Sequence, residues 1–370
     1  MIWIFILTGT VYTGILLFFF QGLVRKSRTS NNPAKPFVSV LVPARNEAKH
    51  IQNCLMSLLQ QTYPSHLYEV LVIDDNSTDN TCQIVENFVK EKPQFRLLIY
   101  KNDGRHPTYK KQALKFGLKE AKGEIIFTID ADSIAQKNWL EKMVAQYDET
   151  TGLVAGLITF HPDFEKNLFH KLQTLEFAGI VFCGVGSLKN GFPIICNGSN
   201  LSYRKKAFED AGGYDGHEHL PSGDDDLLLQ NIHNKTSWKV KYSLDRETIN
   251  YTVPLNSVKG FLNQRSRWAS KSLHYPSKLI FLILFVIYIF YSLTFLLFPL
   301  SMLGYLPLKL YILGILLKIF PEALIIHKGL QVLNRKDLFP LFLIAQIFQV
   351  PYILYAGFRG FFHKFSWKDS

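Results

Sequence analysis

Three acidic clusters and one basic motif hold most of the chemistry that this chain's residue types and spacings allow. They are Asp74-Asp75, Asp130-Ala131-Asp132 and Asp224-Asp225-Asp226, followed by Gln264-Arg265-Ser266-Arg267-Trp268. The first two close short apolar runs, EVLVI before Asp74 and EIIFTI before Asp130. Carboxylates gathered at the ends of buried strands lose hydration and repel one another unless a cation or polar ligand sits among them. The pattern points to a charged ligand, read here as a metal ion with a nucleoside diphosphate. In Asp130-Ala131-Asp132 the spacing projects two carboxylates from one side of an extended segment. Hard oxygen ligands so placed suit Mg²⁺ or Mn²⁺ that takes most of its coordination from phosphates. A solvated turn fits the same residues. Asp74-Asp75 also fits a plain strand-to-helix turn, with Ser77, Thr78 and Asp79 as caps. The triplet ahead of Leu227, Leu228 and Leu229 reads either as a helix N-terminus or as the source of a general base.

Positioning these groups requires a scaffold, and the pattern around them predicts one. FVSVLV (37–42), EVLVI (69–73), FRLLIY (95–100) and IIFTI (125–129) read as strands. Between them, 48–60, the stretch after Asp79 with Ile84, Val85 and Phe88, and 111–121 have helical periodicity. Strands alternating with helices predict an α/β domain with a mostly parallel, doubly wound sheet, whose ligands bind beyond the carboxyl ends of the strands. No G-x-G-x-x-G follows the first strand, so the dinucleotide fingerprint is missing.

Residues 1–24 carry no charge and can span a bilayer as a helix. No basic region precedes them and no small-residue cleavage site follows, which predicts a retained anchor. The uncharged runs 279–308 and 338–358 predict two more spans. Between them, 310–327 predicts another, with Lys318 and Glu322 spaced to pair on one helix face. Arg25, Lys26, Arg28 and Lys35 follow the first span, and the positive-inside rule then predicts a cytoplasmic polar region. Four spans would carry the basic residues Arg359, Lys364 and Lys368 across the membrane, and three would return them; the sequence leaves both open. The resulting division is an anchor at 1–24, a basic linker at 25–36, the α/β domain at 37–256, an interfacial segment at 257–277, a membrane region at 278–358 and a basic tail at 359–370. The net charge of +11 thickens around the membrane ends rather than forming one stripe, which favours lipid headgroups over nucleic acid. Cys54, Cys82, Cys183 and Cys196 show no C-x-x-C spacing, and His217 and His219 in a Gly-rich loop read as solvent-exposed.

VSVLVPARNEA at 38–48, VIDDNSTDNT at 72–81, the D-x-D at 130–132, NGSNLSYRKKAF at 197–208, GGYDG at 212–216, SGDDDLLL at 222–229 and QRSRW at 264–268 occur in this order. In these motifs the chain resembles the membrane-bound glycosyltransferases of family 2, which include cellulose, hyaluronan and poly-N-acetylglucosamine synthases. The resemblance covers about residues 37–270 plus the flanking helices and implies a GT-A fold. It implies that Pro43, Ala44, Arg45 and Glu47 hold the base and ribose and that Asp75 accepts from the uracil ring. Lys110 would approach the diphosphate, although Tyr109 stands where the family has a glycine. Asp130 would contact the nucleotide sugar and Asp132 would be the main metal ligand. Gly223-Asp224-Asp225 makes Asp225 the general base; aligning the leucines instead makes it Asp224. Asn197 to Asn200 resembles the acceptor-side loop. Arg267 would face the diphosphate and Trp268 the acceptor, with Gln264 a further substrate-binding residue, which is compatible with an interfacial helix. The implied activity is inverting, metal-dependent transfer from a UDP-sugar to a hydroxyl acceptor, in an integral protein of a bacterial inner or cell membrane. The acceptor would be a growing glycan, as the QRSRW motif suggests, or a lipid, as the small number of spans suggests, and an export partner is compatible with the former. An inactive scaffold sensing nucleotide sugars would have lost the carboxylates, which are intact, and a transporter would show membrane repeats.

Overall fold

The computed structural model describes residues 1–26, 34–101, 110–215 and 223–362. The expectations that rest on Arg28, Tyr109, Gly216, His217, His219, Ser222, Lys364 and Lys368 lie outside the described residues. The chain begins with α1 (Ile2–Val24), then runs through β1 (Val38–Ala44), α2 (Ile51–Leu59), β2 (Tyr68–Asp74), α3 (Thr81–Val89), β3 (Phe95–Ile99), α4 (Lys110–Glu120), β4 (Ile125–Thr128) and α5 (Trp139–Val144). It continues with β5 (Thr151–Ala155), β6 (Ile158–Phe160), α6 (Leu168–Lys189), β7 (Leu201–Arg204), α7 (Lys205–Asp210), α8 (Asp226–Lys235), β8 (Lys239–Tyr242) and β9 (Asn250–Thr252). Four helices close it: α9 (Val258–Ser270), α10 (Lys278–Met302), α11 (Leu308–Leu333) and α12 (Phe342–Phe361). These elements form two compact units.

Lys26–Phe164 and Ile195–Val253 make the first unit, built on a seven-stranded sheet in the order β3-β2-β1-β4-β7-β5-β8. The near-continuous Val, Leu and Ile of β1 and β2 suit strands covered on both faces, and Val38, Val40, Leu41, Val42, Val70, Leu71 and Val72 are all fully buried. In β1 and β2 the register runs from Val38 opposite Tyr68 to Ala44 opposite Asp74, so both chains leave the sheet at the same level. β4 pairs with the other edge of β1, Leu41 opposite Thr128. The strand order reverses between β1 and β4, and open α/β sheets bind ligands beyond the carboxyl ends at such a point.

The expectation of a parallel sheet holds for β1 to β4 and needs an amendment beyond them. β7 runs antiparallel between β4 and β5, and β6 and β9 form a separate two-stranded ladder. LSYR at 201–204 is too short and too polar to announce a central strand; tertiary packing decides it.

Met1–Arg25, Glu165–Ile194 and Pro254–Ser370 form the second unit. Residues 165–194 thus pack with the terminal helices, whereas the sequence reading places them inside a continuous 37–256 domain. The reason is α6, whose Leu175, Phe177, Ala178, Val181, Phe182 and Val185 are buried in this unit. Its Gly186 meets the backbone of α1 so closely that a side chain there would collide with the Phe19 carbonyl. Four helices are long and apolar enough to cross a membrane: Ile2–Val24, Lys278–Met302, Leu308–Leu333 and Lys336–Phe361. Trp3, Phe281, Phe295, Phe320 and Ile347 are exposed on them, as lipid-facing residues would be.

Inside this helical unit lies one polar knot. Lys318 and Glu322 pair at 3.1 Å, as their spacing predicts. Glu322 also accepts from Tyr12 of α1 at 2.6 Å, Tyr291 of α10 at 3.0 Å and Gln346 of α12 at 2.8 Å. Lys318 donates to Gln349 at 2.5 Å and to Gln346. Every one of the four long helices contributes, and a charge among apolar helices is tolerable only when satisfied in this way.

Candidate active site

The loops that leave β1 and β2 hold each other. Asn46 and Asn76 both take left-handed backbone conformations, with φ of 54° and 55°, a turn for which asparagine is well suited. The Asn46 N–H donates to Ser77 Oγ at 3.0 Å, and Asn46 Oδ1 accepts from the Thr78 N–H at 2.8 Å. The Glu47 N–H donates to Thr81 Oγ1 and the Ala48 N–H to Asp79 Oδ2. The loop carrying Pro43, Ala44, Arg45 and Glu47 is therefore laced to the loop carrying Asp75. Asp75 is 5% exposed, its N–H donates to the Ala44 carbonyl at 2.8 Å, and its Oδ1 is buried with no hydrogen-bond partner among the described residues. Burial raises the Asp75 carboxyl above its ordinary range; the charge of Arg45 opposes this and that of Asp74 adds to it. A buried acceptor without a donor is costly, and a ligand N–H placed there would relieve it.

The second half of the site forms beyond β4. Asp130 and Asp132 follow the strand in a turn closed by the Ser133 N–H on the Asp130 carbonyl. Lys110, the first residue of α4, inserts its ammonium between two carboxylates, 2.6 Å from Asp130 and 3.1 Å from Asp224. The D-x-D and the triplet, 94 positions apart if counted from Asp130 to Asp224, thus meet on one lysine. Burial by itself would lower the Lys110 pKa, but the charges of Asp130 and Asp224 outweigh it and hold the ammonium well above the usual range. For Asp224, burial acts to raise the pKa and Lys110 overrides it, so the carboxyl lies below its ordinary value. Gly198 permits this approach: a side-chain carbon there would sit 2.9 Å from Asp224 Oδ2 and 3.1 Å from Lys110 Nζ.

The triplet divides its labour. Asp224 binds Lys110; Asp225 accepts from the Asp226 N–H at 2.7 Å, capping α8, and from the Gly198 N–H at 3.2 Å. Asp226 is fully buried and accepts from the Cys196 N–H at 2.9 Å. Both carboxylates proposed as bases sit beside the D-x-D, and the third is a structural tie. Asn200, expected on the acceptor side, turns its side chain the other way. Its amide is fully buried, accepting from the Trp139 indole at 2.9 Å and donating to the Leu157 and Thr248 carbonyls at 2.6 and 2.7 Å. With both N–H groups spent on buried carbonyls and the whole side chain out of solvent's reach, its part is to brace the loop. The sequence reading missed Ser199, whose Oγ accepts from the Asp130 N–H at 3.2 Å and contacts Ser133 Oγ at 2.7 Å. Its only signal was its place in the N-G-S-N motif.

Gln264, Arg267 and Trp268 lie on α9 in the helical unit, each half-buried. The motif's other arginine, Arg265, is buried against Glu176 of α6.

Among the described residues no group of three or more His, Cys, Asp or Glu side chains could by itself hold a metal. Asp130 and Asp132 nonetheless fit a divalent cation that takes its remaining ligands from phosphate. Asp130 is 38% exposed, and it already draws a cationic group to 2.6 Å in Lys110.

A change at Lys110 tests these electrostatics. Because folded Asp224 titrates below its unfolded value, its stabilising contribution is present above about pH 4 and fades as pH falls through the folded value. Lys110→Met removes the ammonium and keeps the burial, so the carboxyl titrates higher and its ionisation opposes folding as pH rises. Thermal unfolding between about pH 5 and about pH 8 should show the variant losing stability, relative to wild type, toward the alkaline end. An identical pH dependence in both proteins would contradict the triad.

Comparison with known proteins bears on the fold and the family. Residues 39–212 match the family model described as glycosyl transferase family 2. A glycosyltransferase of Haloferax volcanii, AglE, is 37% identical over 126 residues, 34% of this chain and 40% of that protein. The poly-β-1,6-N-acetyl-D-glucosamine synthase of Staphylococcus epidermidis is 28% identical over 242 residues, 63% of this chain and 53% of that protein. The chain spans about half the length of the curated relatives it matches. A mannosyltransferase from Pyrobaculum calidifontis, solved in complex with GDP-Man and Mn²⁺, superposes with a TM-score of 0.64 at 20% identity, covering 98% of this chain and 99% of that one. The mixed, mostly parallel sheet is thus the GT-A fold, and residues 39–212 match glycosyl transferase family 2.

Proposed function

We propose that this chain is an inverting glycosyltransferase that moves a sugar from a UDP-sugar to a hydroxyl acceptor at a membrane. The observation that carries the reading is the Asp130–Lys110–Asp224 triad beyond β4, which joins the D-x-D to the acidic triplet at the sheet's switch point. The loop of Pro43, Ala44, Arg45 and Glu47 cradles the base and ribose, and the unpartnered Asp75 oxygen receives the ring N–H. Asp132 and Asp130 would hold Mg²⁺ or Mn²⁺, which when bound supplies charge against the departing diphosphate. Lys110, released from its carboxylates, places its ammonium on the phosphates. Asp225 takes the proton of the acceptor hydroxyl, its carboxylate oriented by the Gly198 and Asp226 backbone N–H groups. The hydroxyl oxygen bonds to the anomeric carbon as the bond to the diphosphate breaks, and UDP departs with that electron pair. Asp224 and Lys110 set the local charge. On this reading the catalytic domain faces the cytoplasm of a bacterial cell, and the product is a polysaccharide or a glycolipid. The name of the Staphylococcus epidermidis relative favours polymer synthesis with N-acetylglucosamine; four apolar helices favour single transfer to a lipid.

The test is a screen of UDP-sugars and GDP-sugars for nucleotide release in purified membranes, with and without a chelator. Release from one UDP-sugar, lost on chelation and restored by Mg²⁺ or Mn²⁺, is expected. Release that ignores the chelator, or that occurs only with GDP-sugars, contradicts the reading.

A further inference from the structure

The Q-x-x-R-W motif on α9 contains a residue to which the sequence reading gives no task. Arg265 is 4% exposed, whereas Gln264, Arg267 and Trp268 remain half-buried. Its guanidinium is held along one edge by Glu176 of α6: Nε donates to Oε1 at 2.9 Å and Nη2 to Oε2. Tyr352 of α12 donates its hydroxyl to the same Glu176 Oε1 at 3.0 Å. The remaining faces of the guanidinium are turned on the motif itself. Nη1 donates to the Gln264 side-chain oxygen, and the guanidinium carbon lies 4.3 Å from the Trp268 ring centroid and 4.5 Å from that of Phe261. Phe177 also lies beside Trp268, ring centroids 5.7 Å apart.

The arrangement is poorly explained by stability alone. Burying an ion pair costs desolvation that an apolar residue of similar size would avoid. What the guanidinium supplies is direction. Its planar fork meets a carboxylate with two parallel bonds while its face lies against an aromatic ring, and lysine can do neither. By occupying the Gln264 oxygen it decides which end of that amide is free, leaving the NH₂ group as the outward donor. By stacking on Trp268 it fixes the plane of the indole, the surface on which the carbon–hydrogen face of a sugar ring can rest.

We propose that Arg265, gripped by Glu176 and Tyr352, is a positioning residue that sets the Gln264 amide and the Trp268 ring for a carbohydrate acceptor. The acceptor part rests on the glycosyltransferase reading given above; the positioning part does not.

The experiment labels the full chain in detergent with 5-fluorotryptophan and follows the five tryptophan resonances by fluorine NMR, the Trp268 signal being identified by its loss in Trp268→Phe. Arg265→Lys, Glu176→Gln and Tyr352→Phe are each expected to move the Trp268 resonance and leave the other four in place. A Trp268 signal unmoved in all three variants overturns the positioning role. So does a joint shift of all five, which would mean that the cluster only holds the helices together. In the same preparations, UDP release from UDP-N-acetylglucosamine is measured with and without an N-acetylglucosamine pentamer as the acceptor probe. Arg265→Lys should raise the KM for the pentamer by about tenfold while the donor KM stays within about twofold. Equal changes in both KM values overturn the acceptor assignment. If wild type releases UDP from none of the UDP-sugars of the screen, the glycosyltransferase reading fails, and the fluorine spectra still decide whether Arg265 positions Trp268.

Discussion

Asp132→Ala is expected to lower UDP release from the donor by roughly a thousandfold or more, about 4 kcal/mol of transition-state stabilisation. Folding should be nearly untouched, within about 0.5 kcal/mol, because Asp132 is half-buried and lies in a turn rather than in the core. The size of the effect follows from what the site must do. A diphosphate leaving group gains charge as the glycosidic bond breaks, and Asp132 is the carboxylate proposed to anchor the cation that meets this charge. Lys110 cannot replace it, since an ammonium is a cation and cannot ligate the metal that Asp132 is proposed to hold. Asp130→Asn should be milder and should weaken donor binding more than turnover, because the substitution also frees Lys110 on one side. Membranes prepared in parallel and assayed over a range of Mn²⁺ separate the two variants. Undiminished turnover in Asp132→Ala would sink the metal assignment and the mechanism with it.

The second large effect belongs to the helical unit. Glu322→Leu should destabilise the protein by about 3–5 kcal/mol, the usual cost of leaving one member of a buried ion pair alone. The change leaves the Lys318 ammonium with no counter-charge, only the Gln346 and Gln349 side-chain oxygens, and removes the acceptor of Tyr12, Tyr291 and Gln346 at once. Lys318→Leu should cost less, since the Glu322 carboxylate keeps three donors on neighbouring helices. The double variant Lys318→Leu with Glu322→Leu should recover much of the loss, because the apolar replacements carry no uncompensated charge. Thermal unfolding in detergent provides the cycle. A double variant as unstable as the sum of the singles would show that the pair is not coupled.

The legible part of this chain was the part written in local patterns. β1 to β4 could be read because buried parallel strands are nearly unbroken runs of Val, Ile and Leu, and each ends in a motif of turn and cap residues. The four apolar helices were legible for the same reason of length and composition. β5 to β9 were not, because their three to five residues carry little periodicity and their pairing partners lie far away in sequence. α6 escaped notice because its apolar face is interrupted by Lys171, Gln173 and Glu176. The candidate site shows the same division. Motifs pointed to Asp75, Asp130, Asp132 and the triplet, yet no local pattern could show that one lysine draws Asp130 and Asp224 together. Nor could it show that Asn200 would spend its amide on Trp139 and two carbonyls.

The interleaving of the two units has a consequence for synthesis. When the ribosome has delivered residues up to Phe164, β5 has no partner, since both of its neighbours, β7 and β8, lie downstream. β4 likewise waits with one edge bare, and an unpaired edge is an invitation to misassociation. The segment 165–194, with α6, must emerge before Leu201–Arg204 can close that gap. Nascent chains stalled before about residue 200 should therefore be the most aggregation-prone and the most dependent on chaperones. An insertion that lengthens the 165–194 excursion should prolong that window even if the finished enzyme tolerates it.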